Sequence, residues 1–62
     1  MSDMPVPDIG SEWLGPDGVA IITENFLVCG VDWVSYQHKD VVNPETFEMS
    51  LQNFYDMFSR IK

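Results

Sequence analysis

Residues 15–23, Gly15-Pro16-Asp17-Gly18-Val19-Ala20-Ile21-Ile22-Thr23, read as a tight turn feeding directly into a strand. Proline presets the backbone of the second turn residue and glycine closes the turn. The run that follows is rich in the β-branched residues that a pleated, half-buried strand favours. Upstream, Ile9 to Leu14 forms a short apolar-polar stretch around Trp13, so the turn joins two strands as a hairpin.

Downstream, Glu24-Asn25 interrupts the run, and Phe26-Leu27-Val28-Cys29 resumes it before Gly30 permits a bend or bulge. One bent strand and two separate strands both fit this stretch. Val31 to Gln37 is the clearest long strand, with Asp32, Val34 and Tyr36 on one face and Val31, Trp33 and Ser35 on the other. His38 to Glu45 reads as a loop with Lys39-Asp40 at its tip. Phe47, Met49 and Leu51 then alternate with Thr46, Glu48 and Ser50, which predicts a further strand and a second hairpin. From Leu51 the period changes, and Leu51, Phe54, Tyr55, Phe58 and Ile61 fall on one face of a helix over about residues 51–61. Ser50 is placed to cap that helix, and Asp56 and Arg60 stand four apart on its outer side. A helix of about ten residues is too short to stand alone and must dock on the sheet.

Residues 1–8, with Pro5 and Pro7 and no apolar periodicity, read as a flexible lead-in to a single domain over 9–62. The expected architecture is mainly β, a small SH3-like barrel of about four or five short antiparallel strands with one short C-terminal α-helix.

Sixty-two residues leave no room for a second domain and lie near the lower limit for a core without staples. The apolar fraction of 45% and aromatic fraction of 13% nevertheless mark a chain that folds, despite a net charge of −7. Homo-oligomerisation stays open as one route by which so small a domain gains buried area. Cys29 is the only cysteine, which excludes an intrachain disulfide and a cysteine metal cluster and favours a reducing compartment. The first residues carry neither a basic n-region nor an apolar h-region, and no apolar run approaches the ~20 residues that span a bilayer. A cytoplasmic protein is expected.

The charge is uneven. Lys39, Arg60 and Lys62 all follow residue 38, whereas Asp3, Asp8, Glu12, Asp17, Glu24 and Asp32 all precede it. An anionic surface of this kind repels phosphate and anionic lipid, which argues against direct contact with nucleic acid or membrane and points to a protein partner with a basic surface. Plain solubility explains the charge equally well.

Catalysis lacks a constellation. His38 is the only histidine, and it lies at a loop edge beside Lys39. Cys29 lies in an apolar strand context, which suits a small core residue better than a nucleophile. The pairs Asp8 with Glu12 and Glu45 with Glu48 lie in polar surroundings that do not shift a carboxyl toward acid–base work. No calcium-loop spacing is present, and the glycines are spaced as turn residues, not as a phosphate cradle. No catalytic, cofactor or metal residues are assigned. Trp33 and Tyr36 are read either as core or as a recognition platform.

The order of Pro7-Asp8-Ile9-Gly10-Ser11-Glu12-Trp13, the turn at Gly15 to Gly18, Val34-Ser35-Tyr36, and Met49-Ser50-Leu51 with Phe54 and Phe58 resembles a group of short bacteriophage and prophage proteins with an SH3-like barrel. That resemblance spans most of residues 7–61 and implies a phage accessory product of the host cytoplasm, with no catalytic residues to carry over. The chain departs from the pattern by lacking the basic residues that commonly follow the Trp, which argues further against a nucleic-acid role. The expected function is binding of a host or viral protein, with inhibition left open, through some of Asp17, Glu24 and Asp32 with an exposed aromatic such as Trp33. A DNA mimic that blocks a nucleic-acid enzyme and a structural or assembly subunit are the alternatives.

Overall fold

The computed structural model describes residues 5–61. Five strands and one helix follow in the order β1 (Glu12–Gly15), β2 (Gly18–Val28), β3 (Val31–His38), β4 (Phe47–Ser50), α1 (Leu51–Met57) and β5 (Ser59–Arg60). All strand pairings are antiparallel, and the sheet order is β4-β3-β2-β1-β5. Helix α1 links the two edge strands. The fold class is therefore mainly β with one short helix, in the barrel-like arrangement expected from the turn and strand signals.

The hairpin at residues 15–18 forms as read, with Gly15 opposite Gly18 and Trp13 opposite Ala20. Before it, the segment Asp8 to Ser11 makes a turn in which both the Ser11 amide and its hydroxyl donate to the Asp8 carbonyl, at 3.1 and 2.6 Å. Gly10 and Ile22 then continue the β1–β2 ladder, the Gly10 amide donating to the Ile22 carbonyl at 2.8 Å.

Glu24-Asn25 marks a bulge within one long strand and not a break between two. Ile22 pairs with Tyr36 and Glu24 with Ser35, so Thr23 is the extra residue on β2. An extra residue reverses the alternation of side chains. Ala20 and Ile22 face the core before the bulge. Beyond it Asn25 and Leu27 share the core side, and Glu24, Phe26 and Val28 are turned outward.

The core is a cluster of Trp13, Ala20, Ile22, Val34, Tyr36, Leu51, Phe54 and Phe58. Phe54 stacks on Phe58 at 4.5 Å between centroids and meets the edge of Trp13 at 5.0 Å, while Tyr36 lies 5.1 Å from Phe58. Aromatic contacts of this geometry add about 0.5–1.5 kcal/mol each beyond the area they bury.

The helix is capped as expected, the Ser50 hydroxyl accepting from the Asn53 amide at 3.4 Å. It stops at Met57 and does not continue to 61. Phe58 is already extended, at φ −122° and ψ 147°, and its amide closes the last turn on the Phe54 carbonyl at 2.9 Å. Ser59 and Arg60 then pair with Leu14 and Trp13, satisfying backbone groups on the free edge of β1 that a longer helix would leave unpaired. Two side chains are displaced from the expected helix face as a result. Ile61 is exposed. Arg60 lies 3.7 Å from Asp8 and over the Trp13 ring instead of pairing with Asp56.

The flexible lead-in over residues 1–8 is corrected for its second half, the first half lying outside the described residues. Pro7 is fully buried, Asn25 Nδ2 donates to the Pro7 carbonyl at 3.3 Å, and the Tyr55 hydroxyl donates to the Pro5 carbonyl. Residues 5–8 are a strap tied to β2 and α1.

Candidate functional site

Strands β2 and β3 run past the rest of the sheet. The β1–β2 ladder, with its extension through Gly10 and Ser11, reaches only Ile22, and β4 pairs with β3 only over Trp33 to Tyr36. Residues 27–32 therefore project as a two-stranded arm, and the molecule measures 38 × 21 × 17 Å. Cys29 and Gly30 close the arm at φ 50° and 78°, the two positive values that a two-residue type I′ turn requires. Cys29 is thus an exposed turn residue and not the small core residue expected from its apolar neighbours. Those neighbours are themselves arm residues, Leu27 at 68% exposure and Val28 at 43%.

The outward-facing side of the β2–β3–β4 sheet is organised in rungs. Glu24, Ser35 and Glu48 form one rung across the three strands. Phe26, Trp33 and Ser50 form the next, and Val28 with Val31 forms the last before the turn. Both carboxylates are exposed, Phe26 and Trp33 are half-buried, and Val31 is half exposed. Ser35 is buried between the two carboxylates, and its hydroxyl has no hydrogen-bond partner among the described residues. An apolar patch is therefore bordered on one side by a pair of negative charges.

The four residues singled out in the sequence fall in three places. Glu24 and Trp33 share this outer face on adjacent rungs. Asp32 is opposite Leu27 on the other face of the arm. Asp17 is exposed in the β1–β2 turn, at the far end of β2, roughly 23 Å from Glu24 and roughly 30 Å from the Phe26–Trp33 rung at the usual rise per residue. Its nearby charge, after burial, helps to raise the pKa of Tyr36. Tyr36 and Trp33 are separated too, Tyr36 in the core and Trp33 outside it. Strand parity alone excludes a shared platform, since the two are three residues apart on β3.

Sequence reading missed Glu48, Phe26, Val28 and Val31 as members of one surface. The only available signal was the Glu24-Asn25 interruption. It marks the bulge, but not which face the bulge exposes.

The described cations are engaged elsewhere. Lys39 contacts Glu12 at 3.3 Å, and Arg60 is the residue between Asp8 and Trp13. Neither reaches the outer face of the arm.

For chemistry, Cys29 at the arm tip and His38 at the opposite end of β3 are roughly 25 Å apart by strand length, far beyond the reach of a nucleophile–base pair. His38 sits edge-on to Tyr36 and Phe47 at 5.9 and 5.5 Å, with Nδ1 buried and without a partner among the described residues. Asp8 and Glu12 belong to separate ion pairs. No three His, Cys, Asp or Glu side chains converge to hold a metal ion among the described residues. Among the described residues no helix is long and apolar enough to cross a membrane. Comparison with known proteins finds no matching family model, no matching curated protein and no matching solved structure.

Proposed function

We propose that the chain is a small acidic binding protein of the phage accessory type, which acts by engaging a host or viral protein in the cytoplasm and not by catalysis. The observation that supports this most is the Phe26–Trp33 rung. A domain with so small a core still turns two aromatic rings away from it, beside two exposed carboxylates. Aromatics are enriched at protein interfaces because they combine a large apolar area with few rotamers to fix. The phage-type origin rests on the resemblance carried by residues 7–13 and the strands that follow.

Mimicry of nucleic acid is less favoured, because Asp17, Asp32 and the Glu24–Glu48 pair lie at different ends and faces instead of in one phosphate-like row. The test is an affinity capture from bacterial lysate with tagged full-length protein, treated with nuclease, at low and high salt, read by mass spectrometry. One enriched protein that is lost at high salt supports charge-led binding. Capture of nothing but the chain itself overturns the reading and moves the assembly role forward, with light scattering then measuring the oligomer.

A further inference from the structure

The outer face of the β2–β3 arm carries more detail than a general acidic surface. We infer that it is a docking surface for a basic amphipathic segment of a partner protein. An apolar side chain of that segment lies on Phe26, Trp33, Val28 and Val31, and a lysine or arginine lies between Glu24 and Glu48. This rests on the binding reading above and names the surface and the chemistry of the partner.

The rungs set the spacing. Two residues along a strand span about 6.7 Å, so the acidic and apolar rungs are about that far apart. Neighbouring strands lie about 4.8 Å apart, which separates the Glu24 and Glu48 backbones by about 10 Å across β3. A cation entering between them meets a carboxylate on either side, while its apolar neighbour two positions along an extended segment reaches the Phe26–Trp33 rung. Burial of the patch by the partner also removes water from around the ion pairs and strengthens them.

Charge selects the occupant. A second copy of this chain would bring its own net charge of −7 and a second Glu24–Glu48 pair to the same face, with its described cations held at Glu12 and Asp8. Nucleic acid and anionic lipid meet the same repulsion. A segment bearing lysine or arginine beside an apolar side chain complements both rungs at once.

The experiment uses full-length protein and three short labelled peptides, read by fluorescence anisotropy at low and high salt. One alternates lysine and valine, one alternates lysine and serine, and one alternates glutamate and valine. The lysine–valine peptide is expected to bind more tightly than either of the others, with affinity falling as salt rises. The double substitution E24Q/E48Q should weaken it about five- to tenfold at low salt. V28S/V31S should weaken it about tenfold at either salt concentration. Asp17→Asn, at the far end of β2, should leave it unchanged. All five positions are exposed, so the fold is retained, and near-ultraviolet circular dichroism from Trp13 confirms it.

Equal weakening by Asp17→Asn and by E24Q/E48Q overturns the inference in favour of a diffuse charge effect. Loss of a dimer in V28S/V31S by light scattering overturns it in favour of self-association. A lysate partner held equally by wild type and both double variants defeats the docking surface while leaving the binding reading intact, whereas absence of any captured partner defeats the binding reading itself.

Discussion

The indole nitrogen of Trp13 donates to the hydroxyl of Ser11 at 2.9 Å, and that hydroxyl in turn donates to the Asp8 carbonyl. Trp13 is only 3% exposed, so its N–H has no recourse to water if Ser11 is removed. Ser35 is still more buried than Ser11, and its hydroxyl has no partner among the described residues. Ser11→Ala should therefore destabilise by about 1–3 kcal/mol, because it orphans a buried donor, while Ser35→Ala should be neutral or stabilising. Urea unfolding of the two variants in parallel checks this, and equal losses would show that size and not hydrogen bonding governs both sites.

Gly15 is held to glycine by Phe58. A Cβ at this position would fall on the Phe58 ring, which is itself stacked on Phe54 and packed against Tyr36. Gly15→Ala should cost about 1–3 kcal/mol through overpacking, a large part of the stability of so small a domain. The midpoint of thermal unfolding measures the loss. Combining Gly15→Ala with Phe58→Leu should restore less than additive damage, since the second change makes room for the first.

At the arm tip the strain is backbone strain. Cys29 occupies the left-handed region at φ 50° beside Gly30 at φ 78°, and asparagine tolerates that conformation better than cysteine does. Cys29→Asn should raise stability by about 0.5–1 kcal/mol, and Gly30→Ala should lower it by about 1 kcal/mol or more. Chemical denaturation resolves both, and a destabilised Cys29→Asn would mean that the thiol makes a contact that its exposure hides.

These positions also show which parts of the molecule were legible. The Pro16-Asp17 turn, the Val31–Gln37 strand and the start of the helix at Ser50 were readable because each depends on residues within a few positions of itself: a preset φ, a period of two, a side-chain cap. The run from Pro7 to Trp13 holds the Asp8–Ser11 turn and the Ser11–Trp13 bond, neither of which follows from residue type alone. What failed depends on distant partners. Thr23 becomes a bulge only because Tyr36 and Ser35 take Ile22 and Glu24, and residues 59–60 leave the helix only because β1 presents a free edge. The placing of the candidate site residues depends on distant partners too. Glu24 and Trp33 share a face through the bulge, and Glu48 joins them through β4, whereas Asp17 and Asp32 have only their charge in common with that face.

The two tryptophans report on opposite sides of the sheet. Trp13 is enclosed by Phe54 and Tyr55, with ring centroids at 5.0 and 5.4 Å, whereas Trp33 is half-buried on the outer face. Acrylamide should quench part of the wild-type emission and spare the rest. Trp33→Phe should leave only the protected component, and a remaining signal as accessible as the wild type would place Trp13 in contact with solvent.

Tyr36 couples the core to alkaline pH. Burial raises its phenol above the usual 10.0, and the Asp17 carboxylate adds to the rise. The folded chain thus holds the phenolic proton more tightly than the unfolded chain, so this group's contribution is fully present below the unfolded value of 10.0 and is lost as pH rises through the higher folded-state value. The urea midpoint of the wild type should therefore start to fall once the pH passes 10.0, while Tyr36→Phe, which keeps the ring and removes the ionisation, should fall less. Asp17→Asn removes the smaller of the two causes, so tyrosinate absorbance in the folded variant should appear at a lower pH than in the wild type but still above that of an exposed tyrosine. A midpoint that falls as steeply in Tyr36→Phe as in the wild type would assign the alkaline loss to other groups and leave Tyr36 as packing alone.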